Sequence, residues 1–180
     1  MIKTIIFLSL AFASSALAAD MTVARMYDSQ LKGVEGEILP LVKEMPESAF
    51  SFAPKEGAFK GARTFAQQAK HVATVMYMVA AASIGEKSPV EAGNSENGSD
   101  SIKTKEQIVQ YLSDAFTYAH KAMNALTDKN QLDMMKLPFP GAPDMARAGI
   151  ANVAISHTMD HYGQMVIYAR MNNVIPPASR

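Results

Sequence analysis

The chain's 180 residues, 48% of them hydrophobic, suffice for one domain with its own core and are too few for two. Its 17 basic and 17 acidic side chains balance, so there is no basic field to attract RNA, DNA or an anionic membrane. With no cysteine, thiolate nucleophiles, disulfide exchange and Cys-type zinc sites are excluded, and a transition-metal site must use nitrogen and oxygen ligands.

Residues 1–18 have the form of a secretory signal peptide. Lys3 supplies the positive start, Ile5 to Ala13 the apolar core, and Ala16-Leu17-Ala18 the small-residue cleavage pattern. The apolar run is shorter than the ~20 residues that span a bilayer. A mature chain beginning at Ala19 or Asp20 is expected, exported to the periplasm or beyond, with residues 19–180 as its single domain. Removal of Lys3 leaves 16 basic (17 minus 1) against 17 acidic side chains, a net charge of −1.

The first helix is expected from Met21 to about Met45, on the spacing of Leu31, Val34, Ile38, Leu41 and Val42. Pro40 should kink it or end it early, and Met45-Pro46 closes it. A loop with Pro54, Gly57 and Gly61 follows. Thr64 with Gln67 forms a capping box, opening a second helix that runs uninterrupted by Gly or Pro to about Ile84, with His71 on the flank of its apolar face. Residues 85–100, rich in Gly, Ser, Asn and Glu, suggest a mobile surface loop that carries the glycosylation-type triplet Asn97-Gly98-Ser99.

Thr104 and Gln107 repeat the capping box before a third helix, whose stripe includes Ile108, Leu112, Phe116, Ala119 and Met123. His120 sits at the edge of that stripe, a surface or boundary position. A long connection with Pro138, Pro140 and Pro143 leads to Asp144, a suitable N-cap for a last helix reaching about Asn172. Asn173 suits the left-handed position that ends helices, and Pro176-Pro177 prevents resumption. No strand pattern is evident. The fold class is therefore all-α, a four-helix bundle whose topology the spacing leaves open.

The last helix carries His157-Thr158-Met159-Asp160-His161-Tyr162-Gly163-Gln164. Histidines four apart lie on one face of a helix. Steps of ~100° place Ile150, Val153, Ala154, His157, His161, Gln164, Tyr168 and Met171 on one stripe, so both imidazoles should face the core. Buried imidazoles need hydrogen-bond partners or a cation. His71, on another helix at a compatible face, is the best third ligand. Three imidazoles leave a coordination position open, as in catalytic rather than structural zinc sites. Thr158 stands where a zinc protease of the His-Glu-x-x-His type has its glutamate, which disfavours that chemistry. Asp160 reads first as a solvated or helix-bridging carboxylate and second as an acceptor behind an imidazole, and Gln164 serves either core hydrogen bonding or the orientation of an imidazole or a water. The 13 methionines fall mostly at core spacing, as gap-fillers rather than copper ligands.

Met45-Pro46-Glu47, Phe52-Ala53-Pro54 and the run Arg63 to His71 resemble the opening half of the DinB-like family. His157-x3-His161-Tyr162-Gly163-Gln164, followed by Tyr168 to Asn173 and Val174-Ile175-Pro176-Pro177, resembles its last helix and exit. The resemblance spans nearly all of the expected mature chain. It implies an up-down-down-up bundle with a zinc or nickel ion held by His71, His157 and His161. It also implies a choice of activities, thiol-dependent transferase or hydrolase-like. The export signal separates this chain from members that use cytoplasmic thiols, and Asn173 stands where the family often has glycine.

The expectation is an exported metal-dependent enzyme, hydrolytic in type, acting on a small molecule. Its rivals are a non-enzymatic metal- or ligand-binding bundle and a thiol-dependent S-transferase. A homodimer is compatible with such a bundle.

Overall fold

The computed structural model describes residues 21–180, so the expected signal segment lies outside the described residues. Four helices account for most of them: α1 (Val23–Glu44), α2 (Phe65–Ile84), α3 (Lys105–Asn124) and α4 (Arg147–Met171). None is long and apolar enough to cross a membrane among the described residues.

The helix starts and stops follow local chemistry. Thr22 caps α1 by accepting from the Arg25 amide, and both expected capping boxes are formed, Thr64 with Gln67 and Thr104 with Gln107. Pro40 does not end α1. The helix continues to Glu44 and stops at Met45, whose extended backbone precedes Pro46. Gly85 closes α2 at φ +74°, and Asn173 closes α4 at φ +59° as expected.

The expected Asp144 cap and the absence of strands are corrected. Met134–Lys136 (β1) and Asp144–Ala146 (β2) pair as a short antiparallel hairpin across the proline-rich turn. Three-residue strands are too short for an alternation to be visible in sequence. Ala146 takes the N-cap position of α4 with no side-chain hydrogen bond. The connection itself satisfies the first turn, because the Asp133 carbonyl accepts from the Arg147 amide at 2.9 Å and the Gln131 carbonyl from Ala148 at 3.0 Å.

The topology follows from which ends meet. Asp28 reaches His120 and Asn124, while the Met45 carbonyl accepts from Lys105, so α1 and α3 are antiparallel. Thr74 meets Tyr111 and Glu86 meets Tyr118 and Lys121, so α2 and α3 run parallel. Gln68 meets His161 and Arg147 meets Ser83, so α4 is antiparallel to α2 and parallel to α1. That is the up-down-down-up bundle, with α1 diagonal to α2 and α3 diagonal to α4.

Leu31, Ile38, Leu41, Phe65, Met76, Leu112, Phe116, Ile150 and Met165 fill the space between the four helices. Almost every residue of α2 is buried, which makes it the central helix. His71 is accordingly more deeply placed than a flank position. The core stripe of α4 runs through Ile150, Ala154, Thr158, Tyr162 and Met165, rotated from the expected one. His157 is only half-buried, and Gln164 and Met171 are exposed.

Candidate metal centre

The antiparallel contact of α2 with α4 brings His71 between His157 and His161. The Nε2 of His157 lies 3.2 Å from that of His71 and 3.1 Å from that of His161. Ring centroids are 4.5–5.0 Å apart with the planes inclined, so the rings converge at their Nε2 edges rather than stack.

The opposite ring edges are anchored. His71 Nδ1 donates to the Glu96 backbone carbonyl at 3.1 Å, and His161 Nδ1 to Gln68 Oε1 at 2.5 Å. Gln68 has no freedom to reverse these roles, because its amide nitrogen donates to Gln164 Oε1 at 3.0 Å. Gln164 in turn donates to Asp160 Oδ2 at 3.2 Å. The chain of donors therefore runs from His161 through two amides to a carboxylate. It fixes His161 as the Nδ1–H tautomer, just as Glu96 fixes His71, and leaves the Nε2 lone pairs of both rings aimed at the common point.

Two lone pairs facing one nitrogen at this separation are poorly satisfied by a single shared proton. A cation resolves the conflict. Bonds of ~2.0–2.1 Å to three nitrogens in tetrahedral array put those nitrogens ~3.3 Å apart, close to the two separations at His157, with all three ligand atoms within 4.8 Å. Donor type, tautomer and spacing thus all fit a divalent transition ion. His71, His157 and His161 form the one His/Asp/Glu cluster among the described residues whose ligand atoms all lie within 4.8 Å.

Burial keeps the site in the metal-binding protonation state. It lowers His157 to about 3, helped by the fields of His161, His71 and Arg63 and opposed by Asp160. Burial also lowers His161 to about 4, with His71 and Arg63 acting in the same direction. His71 is lowered by burial and by Arg63, against the Glu96 and Ser95 backbone contacts and the Glu96 charge. Neutral imidazole is the ligand form.

Sequence reasoning did not single out Gln68 or Arg63 as site residues. Arg63 donates from Nε to Asn97 Oδ1 and from Nη2 to the Ser95 carbonyl, both at 2.9 Å. These bonds and the Lys70 bond to the Ser99 carbonyl bind the expected mobile loop to the start of α2. The loop is correspondingly structured, with a tight turn at Asn94–Glu96 in which Ser95 and Glu96 take left-handed backbone at φ +51° and +53°. Asn97 is partly buried, and its Oδ1 is the acceptor for Arg63. His120 keeps its boundary position, far along α3 from the cluster, clamped between Asp28 at 2.7 Å and Glu35 at 3.1 Å.

Comparison with known proteins agrees with this fold. The profile described as the DinB superfamily matches residues 30–165. The crystal structure of a DinB-like protein from Bacillus cereus superposes with a TM-score of 0.65 at 15% identity, over 84% of this chain and 93% of that one, a likeness of fold. No curated protein matches the chain.

Proposed function

Because the chain belongs to the DinB superfamily, we propose that it is an exported metal-dependent enzyme of hydrolytic type. His71, His157 and His161 hold the ion, zinc or nickel. The convergence of three Nε2 atoms on one point, two of them with their tautomers fixed from behind, carries this reading.

A bound ion of this kind supplies Lewis acidity, polarising a substrate carbonyl and acidifying a water. The protein's own contribution is orientation. The Glu96 carbonyl and Gln68 hold two rings so that their lone pairs need no reorganisation, and burial keeps protons off them. The half-buried His157 marks the side from which a small molecule reaches the centre. Arg63, whose two hydrogen bonds go to neutral acceptors, contributes a positive field beside the rings. Asp160 is exposed at the rim, one helical turn from Gln164.

Export is supported by the Lys3, Ile5–Ala13 and Ala16-Leu17-Ala18 pattern. The mature protein is expected in the periplasm or outside the cell, without affinity for nucleic acid. Intact-mass measurement of protein recovered from the periplasmic fraction, beginning at Ala19 or Asp20, tests this part.

The test of the metal centre is elemental analysis of protein purified without chelators or nickel resin. Near-stoichiometric divalent metal is expected in the wild type. His157→Ala should lose it, together with any turnover in a screen of esters, amides and phosphates, while keeping helical circular dichroism. Unchanged metal in H157A would remove the reading, and metal without turnover would leave a binding protein.

A further inference from the structure

Beyond Gln164, α4 keeps Met165, Tyr168 and Ala169 in the core, while its outward face carries apolar side chains. Ile167 and Met171 are each 54% exposed, and Phe59, on the loop opposite, is 49% exposed. Between them lies a cleft of about 250 Å³, lined by Pro54, Phe59, Ala62, Gln164, Ile167, Tyr168 and Met171. A second hollow of about 350 Å³ shares Pro54, Phe59 and Met171 and extends it outward past Phe52. Tyr168 is buried and braced edge-on by Phe52 at 5.7 Å, so the cleft has a fixed floor.

This cleft begins one turn of α4 beyond His161. Gln164 is at once its inner wall and the partner of Gln68, which holds His161. Ala62 lines it and Arg63 follows directly, with a charge that reaches all three imidazoles. His157, His161, Gln164, Tyr168 and Met171 also succeed one another at helical spacing on α4. The stripe that the sequence places against the core thus leads from the ligands out along the cleft wall. An apolar hollow with a polar group at its inner end is the usual form of a small-molecule subsite. At about 250 Å³ it is smaller than the ~300–1,000 Å³ of drug-sized pockets and suits a single short apolar group.

We infer that the cleft between α4 and residues 54–62 binds the alkyl part of an acyl substrate whose carbonyl end lies at the three histidines. This rests on the metal-centre reading above and adds the substrate class to it. Each methylene that enters the cleft should tighten binding about threefold to fourfold, from ~0.8 kcal/mol per buried CH₂.

Straight-chain hydroxamates from acetohydroxamate to octanohydroxamate, titrated calorimetrically into zinc-loaded protein, test the two readings separately. The hydroxamate group probes the metal, and the chain probes the cleft. Affinity is expected to rise through about four added methylenes at ~0.8 kcal/mol each and then level off. Ile167→Asn and Met171→Asn, both at exposed positions and checked for wild-type helical circular dichroism, should flatten the series while leaving acetohydroxamate unchanged. A flat series in the wild type, with acetohydroxamate bound normally, would overturn the cleft assignment and spare the metal centre. The same flat series in protein that sediments as a dimer would give the cleft to a second copy and equally overturn it. No zinc-dependent binding of acetohydroxamate would overturn both.

Discussion

The three imidazoles owe their neutrality to the fold, and this sets the sign of an acid effect. In the unfolded chain an imidazole takes its proton near 6.5, whereas burial delays protonation to about 4 for His161 and about 3 for His157. The unfolded state therefore binds more protons between these values. Stability is fully present above about pH 6.5 and falls as the pH drops through that window. Metal-free protein should show a urea midpoint that declines steadily below pH 6.5, and His157→Gln should make the decline shallower. A midpoint constant from pH 7 to pH 4.5 would contradict the depressed values. Gln68 acts on His161 from behind, so Gln68→Leu should weaken zinc affinity about tenfold to a hundredfold with the helical spectrum unchanged. Gln164→Leu, one bond further away, should have a smaller effect. That the three histidines come together was legible because a His-x3-His pair shares one helix face and His71 sits on another helix at a compatible face. Gln68 and Arg63 were not, since glutamine and arginine are common on helix starts and only the crossing of α2 with α4 gives them meaning.

At the scale of elements, both capping boxes and the Asn173 exit were legible because each is written in residues a few positions apart. The hairpin of β1 and β2 and the uncapped start of α4 were not, since there the backbone of residues 131–133 performs the work of a side chain. The loop after α2 shows the same limit, as its polar composition suggests mobility while its contacts are tertiary. Gly98 adopts φ +68°, and a Cβ there would stand 2.9 Å from Thr74 Oγ1 and 3.2 Å from the Tyr111 ring. Close approach and left-handed backbone both require glycine. The segment that Gly98 seats on α2 includes Glu96, whose carbonyl holds His71. Gly98→Val should therefore cost about 1–3 kcal/mol of stability and also reduce zinc affinity. A variant that unfolds earlier but binds zinc with wild-type affinity would show that the loop does not position His71.

Across the whole molecule, the bundle separates two polar devices. The three-histidine cluster joins α2 to α4, while the Asp28–His120–Glu35 clamp joins α1 to α3, with Lys32 and Asn124 also on Asp28. Burial raises the Asp28 carboxyl, but the hydrogen bonds from Lys32 and His120 and their charges outweigh it and hold it below its ordinary value. Such a carboxylate stabilises above its unfolded value and loses that contribution as the pH falls through the folded one. The up-down-down-up order, which helical spacing left open, makes this separation. It sets α1 against α3 and α2 against α4, so the two devices share no helix. Two polar networks with no common partner should act additively. His120→Ala is expected to lower unfolding free energy by about 1–3 kcal/mol with metal content unchanged. Saturating zinc should raise the stability of wild type and H120A by the same increment, because ligand linkage depends only on affinity for the folded state. A smaller increment in H120A, measured by urea unfolding at fixed free zinc, would mean that the α1–α3 contact shapes the α2–α4 site and that the bundle transmits strain between its two halves.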